Sequence, residues 1–491
     1  MAWPLKFPFM VADPGFVGFF RKAEQTLMDD ARILVRNAEA IVTMDPDRRI
    51  IKEGFVLTCG PTICAIGEER ELSRRPELLK DVTRTIDASG CVVLPGLINT
   101  HHHLYQTLFR CVPAVQNSGL FEWLTTLYPM WSHLTPEMVY TSAKAGIAEL
   151  ILSGCTTTSD LFYVFPSSAP AGLLDETIRA AAEMGIRFYP SRGAMTRGKS
   201  KGGLPPDEVV QDEDTVLRDY ERVVAAYHDT SPFSMCRVAL APCSPFSVTT
   251  SLLKETREFA RSRGLLCHTH LAETEDENRY CAEQYGLRPV DYLDEVGWLD
   301  GRTWVAHAVY LNEREIRRLS SSGTAVSHCP TSNMRLGSGV APVADMLAAG
   351  VTVSLGVDGS ASNDSSHLLN EGRMAMLLQR AARRDASALG ASDILELLTI
   401  GGARTLHWDD ALGSLEPGKA ADLIAIDLSE IQYAGAGWDP VAAVVFSHPG
   451  RVKLSLINGK VVVENGALVD IDIRALARQQ NSLAASLAAC C

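Results

Sequence analysis

The chain has 491 residues, of which 46% are hydrophobic and 21% charged, and its net charge is −13. Its length exceeds one core of ordinary size, so it predicts one large domain with a smaller companion. The acidic balance excludes the basic face that nucleic acid or an anionic membrane surface requires.

Residues 1–30, "MAWPLKFPFMVADPGFVGFFRKAEQTLMDD", are apolar but interrupted by Pro4, Pro8 and Pro14. They lack the basic start and unbroken apolar run of a secretory leader, so they read as an N-terminal extension. No stretch reaches the ~18 apolar residues of a membrane helix. The twelve cysteines are scattered, mostly beside apolar neighbours, and no CxxC pair occurs. They read as free thiols in a reducing, cytoplasmic setting rather than as a disulfide framework or a structural zinc site.

From Arg32 the pattern is of short alternating strands, "RILVRNAEAIVTMD" and "IIKEGFVLTCGPTICAIG", and it returns in "KAADLIAIDL" and "RVKLSLINGKVVVENG". Asn458-Gly459 in the last piece marks a hairpin. Residues 31–95 and 412–470 are therefore expected to form one small β-sandwich built from both chain ends, with a helical tail at 471–491. Between them, residues 96–411 repeat a different unit. Eight apolar runs, each followed by a helical stretch, begin with "VVLPGLINTHHH" and end with "VTVSLGVDGS". Helical segments such as "PEMVYTSAKAGIAELILSG" end in Gly. Eight successive βα units predict an α/β fold, a (β/α)8 TIM barrel, with its active site at the C-terminal strand ends.

Histidines concentrate at those strand ends: seven of the twelve (His101, His102, His103, His268, His270, His307 and His328) lie in or beside the expected strands. In "NTHHHL", period-2 alternation puts His101 and His103 on one face and His102 on the other. His270 ends strand 5 in "HTHLAET", with Glu273 in the loop above it, placed to reach a metal-bound water. Asp358 ends strand 8 in "GVDGSASND". Three imidazoles and one carboxylate leave an open coordination position, as in catalytic metal sites. His102 and His268 are expected to face away, and His328 to orient Asp358 or cap its loop.

The ordered series "PGLINTHHHL", "HLAET", "AHAVYL", "SHCPTSNMRLGSG", "GVDGSASND" and "LGSLEPGKAADLIAID" resembles the metal-dependent aminohydrolases of the amidohydrolase superfamily. The likeness spans residues 31–470 or so. It implies that His101, His103, His270 and Asp358 hold one divalent metal ion, usually zinc. It also implies that Glu273 shuttles a proton, that His307 steadies charge at the attacked carbon and that Asp358 accepts a proton. Strands 3 and 4, "RFYPSRGAM" and "RVALAPCSP", contain no Lys or Glu to bridge two metals, so one ion is expected.

The implied partner is a small heterocyclic substrate. Aromatic residues crowd positions 104–134, and Tyr105 and Trp123 are candidates to stack on it. Gln106 suits a ring edge, Arg192 a ring carbonyl, and "SNMRLGSG" reads as a structural loop clamp. The stretches "HHHLYQTLFR", "LFEWLTTLYPMW" and "TTTSDLFYVFP" most resemble the branch that deaminates oxidised purines, with guanine, isoxanthopterin and hydroxyatrazine-type hydrolases next. A non-catalytic barrel scaffold is the remote alternative. Homo-oligomers are common in such families, but no segment here marks an interface.

Overall fold

The computed structural model describes residues 31–489, so the N-terminal extension expected at 1–30 lies outside the described residues. Seventeen strands form two sheets. Five come before the barrel: β1 (Arg32–Val42), β2 (Ile50–Cys59), β3 (Thr62–Glu68), β4 (Arg84–Asp87) and β5 (Cys91–Pro95). The barrel strands are β6 (Leu97–Asn99), β7 (Cys155–Phe162), β8 (Arg187–Ala194), β9 (Ala239–Pro242), β10 (Cys267–Leu271), β11 (Thr303–His307), β12 (Ala325–His328) and β13 (Val353–Leu355). The last four are β14 (Leu423–Asp427), β15 (Leu454–Ile457), β16 (Lys460–Glu464) and β17 (Ala467–Leu468).

β6 to β13 pair in chain order, all parallel. The ring draws shut where the Thr100 amide donates to the Leu355 carbonyl (3.1 Å) and the Val357 amide to Asn99 Oδ1 (2.9 Å). All eight expected barrel strands are present. The first apolar run splits in two at Gly96, where a Cβ would fall 2.0 Å from Thr156 Oγ1. Before that glycine, β5 belongs to the other sheet; after it, β6 opens the barrel.

The second sheet has nine strands in the order β17-β16-β15-β14-β5-β1-β2-β3, with β4 also on β1. Both chain ends contribute, and the join is the antiparallel pairing of β14 with β5. Alternation sets its faces. Cys91 and Val93 join an apolar cluster with Ile33, Val56, Leu423 and Leu454, whereas Val92 and Leu94 turn to the barrel's own core. Asn458 (φ 52°) and Gly459 (φ 77°) make the expected tight turn between β15 and β16.

Helices between barrel strands start on side-chain caps, Thr135, Asp212, Thr249 and Asn312, and several end on left-handed glycines, among them Gly185, Gly264 and Gly323. A helix, Ile473–Ala488, runs through the expected tail and packs on the helix Pro136–Leu152. Among the described residues no helix is long and apolar enough to cross a membrane. One expectation is corrected: Cys59 and Cys64 form a disulfide, because the β2–β3 hairpin brings their Cα atoms to 5.8 Å. The other eight described cysteines are free.

Candidate metal centre and its pocket

Inside the barrel, side chains stack in layers that become more polar toward the C-terminal mouth. The floor is apolar: Ile98, Tyr189, Trp304, Ala325 and Trp408 pack together. Above it Thr100 bonds to Ser327 (2.6 Å) and Ser354 (2.8 Å), and His268 stacks on Trp304 with ring centroids 4.3 Å apart. His101, His103, His270 and His307 form the next layer, all buried. His268 therefore does not face away. It sits two residues before His270, on the same side of β10, one layer lower.

Each imidazole of the expected set has its outer nitrogen occupied. His268 Nδ1 donates to the Trp304 carbonyl (2.9 Å), so its Nε2 accepts from His101 Nδ1–H (2.8 Å). His103 Nδ1–H donates to the Leu161 carbonyl (2.7 Å) and His270 Nδ1–H to the Cys243 carbonyl (2.6 Å). All three are thus fixed as tautomers with an Nε2 lone pair turned inward. Burial lowers their pKa values, that of His103 to about 4, so the lone pairs are free near neutral pH.

Two of the three inward nitrogens face a carboxylate, and the third lies against His103. His103 Nε2 lies 3.1 Å from His270 Nε2, and Asp358 Oδ1 lies 3.3 Å from His101 Nε2 and 3.4 Å from His103 Nε2. Donors ~2.0–2.1 Å from one cation stand ~2.9–3.6 Å apart at bond angles of about 90–120°. His101 Nε2 is buried and makes no hydrogen bond. The donor set fits a divalent cation.

Beside the set stand His307 and Glu273, with His307 Nε2 at 3.5 Å from Glu273 Oε2 and 3.9 Å from Asp358 Oδ2. Asn333 Nδ2 donates to His307 Nδ1 (3.0 Å), leaving Nε2 as the protonated, donating nitrogen of a neutral ring. Burial holds the His307 pKa at about 3. Burial, then the charges of Asp358 and Glu277, push Glu273 well above the usual carboxylate range. Burial would raise Asp358 as well, but the surrounding imidazoles, His101 foremost, hold it well below that range. The two carboxyl groups are thus separated, one biased to hold a proton and the other to stay ionised.

Backbone strain marks the same places. His307 (φ 73°) and Asp358 (φ 62°) are left-handed, and so is Ala272 (φ 50°), just before Glu273. Such conformations cost about 1–3 kcal/mol each and persist where the surroundings impose them. Glu277 supplies one constraint: its carboxylate accepts the Ala272 and Glu273 amides (both 2.9 Å). Ser332 Oγ (2.5 Å) and Ser362 Oγ (3.3 Å) both donate to Asp358 Oδ2.

A cavity opens above this cluster, walled by Leu120, Trp123, Leu124, Tyr128, Phe246 and Leu336, with Gln106 at the polar end. Trp123 and Gln106 thus reach the cavity; Trp123 is pinned by its Nε1–H to the Ala361 carbonyl (3.2 Å). Three expectations are corrected. Tyr105 is fully buried behind the wall, edge-on to Trp131 and Phe162. Arg192 points out of the barrel to the helix Glu213–Tyr227, pairing with Asp219 (2.6 Å) and Gln211 (3.0 Å). The His328 ring makes no hydrogen bond to Asp358: it follows Ser327, which faces the barrel interior, and neither ring nitrogen has a partner, though its carbonyl accepts the Gly356 amide (3.0 Å) two residues before Asp358. His102 does face away, toward Ser366 (3.2 Å). Tyr128 belongs to the aromatic run at 104–134, whereas Ser332, Asn333, Ser362 and Glu277 carry no signal in the sequence. The run "SNMRLGSG", expected only to clamp a loop, provides two of them; Arg335 does clamp, binding Asp364 (3.2 Å).

The model for the amidohydrolase family matches residues 92–462. The chain is 46% identical to an 8-oxoguanine deaminase of Pseudomonas aeruginosa PAO1, over 82% of this chain and 89% of that protein. It is 37% identical to a hydroxydechloroatrazine ethylaminohydrolase of Pseudomonas sp. strain ADP, over 87% and 89% respectively. An atrazine chlorohydrolase of Arthrobacter aurescens TC1, solved in complex with zinc, superimposes with a TM-score of 0.87 at 33% identity. That match covers 92% of this chain and 100% of the solved one.

Proposed function

Since the chain belongs to the amidohydrolase family, we propose that it hydrolytically deaminates an oxidised purine, converting 8-oxoguanine and water to urate and ammonia. One observation carries the chemistry: three imidazoles locked with inward lone pairs cluster together, two of them facing Asp358, with a proton-retaining Glu273 alongside. The 46% identity to an 8-oxoguanine deaminase supports the choice of ring.

His101, His103, His270 and Asp358 would hold one divalent ion, and the zinc-bound relative favours zinc. Bound there, such an ion acts as a Lewis acid and makes water nucleophilic near neutral pH. The chain's own groups manage the protons. Asp358 accepts one from the attacking water as the C–O bond forms at the amino-bearing carbon. Glu273 protonates the adjacent ring nitrogen, and His307 Nε2–H donates to the incoming oxygen. Glu273, now a carboxylate, takes the remaining hydroxyl proton while Asp358 returns its own to the amino nitrogen. The C–N bond breaks, ammonia leaves and a ring carbonyl remains. Trp123 stacks on the ring and Gln106 binds its edge.

The test is release of ammonia by zinc-loaded and chelator-stripped protein from 8-oxoguanine, guanine, isoxanthopterin, isoguanine and hydroxyatrazine. The expected result is activity only with metal and the highest kcat/KM on 8-oxoguanine. Preference for guanine would change the ring, whereas no turnover of any of them would refute the reaction. Release of an alkylamine from hydroxyatrazine would favour the second reading, an N-alkyl triazine hydrolase. The leucine-rich cavity wall and the hydroxydechloroatrazine relative support that alternative.

A further inference from the structure

Tyr128 lies on the helix Leu120–Trp131, its ring edge-on to Trp131 with centroids 5.4 Å apart. The residue is 0% exposed and lines the cavity, yet its hydroxyl has no hydrogen-bond partner. Gln106 repeats the pattern on the same cavity: its Oε1 is buried and unpartnered, while its Nε2 leans on the Tyr105 hydroxyl (3.4 Å). Space holds that amide in place, since a Cβ on Gly359 would fall 1.8 Å from Gln106 Oε1. Around these two groups the wall is largely apolar: Leu120, Leu124, Phe246 and Leu336.

Folding leaves very few buried polar atoms unmatched, because each forfeits its bonds to water. Two on one cavity, one a donor and the other an acceptor, describe the ligand that would satisfy them. We propose that Tyr128 and Gln106 form a two-point reader of an N–H/C=O ring edge, the phenol donating to a ring oxo oxygen and the amide oxygen accepting from the adjoining N–H. This rests on the deaminase reading and narrows it to rings with a lactam or cyclic-urea edge, as oxidised purines have. Burial pushes the phenol pKa well above its usual value, so the hydroxyl keeps its proton to donate. A ring without an oxo group leaves both protein atoms unmatched, which is the condition for strong rejection.

The test compares wild type, Tyr128→Phe and Gln106→Leu, all zinc-loaded, on 8-oxoguanine, guanine and the oxo-free 2,6-diaminopurine. The readouts are kcat and KM, or the inhibition constant for a ring that is not turned over, together with Tm and metal content. Tyr128→Phe is expected to lower kcat/KM for the oxo-purines by about 10- to 100-fold while leaving 2,6-diaminopurine within about threefold. Because the hydroxyl has no protein partner, Tm should stay level or rise, whereas a structural hydroxyl would lower it. Gln106→Leu should narrow the same preference. An oxo-to-diaminopurine ratio unchanged in Tyr128→Phe overturns the reader while sparing the reaction. A wild-type protein that releases ammonia from none of these rings overturns the deaminase reading beneath it.

Discussion

Glu273 and His268 act at the centre in separable ways. Glu273 makes no contact with the expected ligand nitrogens, so Glu273→Gln should keep its metal by elemental analysis while kcat falls about 10²- to 10⁴-fold. Near-normal turnover would remove the proton shuttle from the mechanism. His268 touches the centre only through His101 Nδ1. Its replacement by Phe keeps the stack on Trp304 but frees the His101 ring to turn. Chelator competition should then show metal affinity about 10- to 100-fold weaker, with activity recovering at saturating zinc. Unchanged affinity would make His268 mere filling. His101, His103, His270 and Asp358 are legible as candidates because ligand types at strand ends are few. The sequence concealed Ser332, Asn333 and Glu277, whose small or common side chains acquire meaning only once a neighbour's orphaned atom is located.

At the scale of strands and helices, what the sequence conveyed was number and order, and what it hid was direction. β7 to β13 stand out as short apolar runs because a barrel strand is covered on both sides. That same double burial erases the polar alternation that would tell inside from outside. Arg192 and His268 were misdirected for this reason, and Tyr105 because a short 3₁₀ helix, Leu104–Phe109, swings it behind its neighbours. Arg192 yields a sharp contrast. If it fixes β8 to the helix Glu213–Tyr227, Arg192→Ala leaves Asp219 to Arg222 alone (2.7 Å) and should cost about 1.5–3 kcal/mol in urea unfolding, with KM unaltered. A raised KM with intact stability would return it to the substrate. The Cys59–Cys64 pair was hidden differently, since facing positions across a hairpin depend on a bulge in the ladder that no spacing rule supplies.

For the whole molecule, acid is the weak direction of the buried histidines. Burial holds His102 and His328 at about 3, below the ~6.5 of an unfolded chain. Unfolding therefore takes up protons below pH 6.5, and the stability these rings contribute drains away as pH falls from there toward 3. Asp160, Glu277 and Glu371, raised by burial to about 7, oppose this: their contribution is complete near pH 4 and declines as pH climbs to 7. Urea titrations at pH 7 and pH 5 can isolate one ring. His328→Leu should lose roughly 2 kcal/mol less than wild type between the two, and equal losses would mean His328 takes no part. The pairing of β14 with β5 carries a different kind of consequence, one of timing. On the ribosome β5 emerges early and can join β1, but the mate for its other edge is made more than three hundred residues later. At ordinary synthesis rates that interval is tens of seconds. Throughout it a nascent chain carries Val92, Val93 and Leu94 on an open, sticky margin, so a stalled or prematurely terminated product should aggregate or recruit chaperones where the finished enzyme does not.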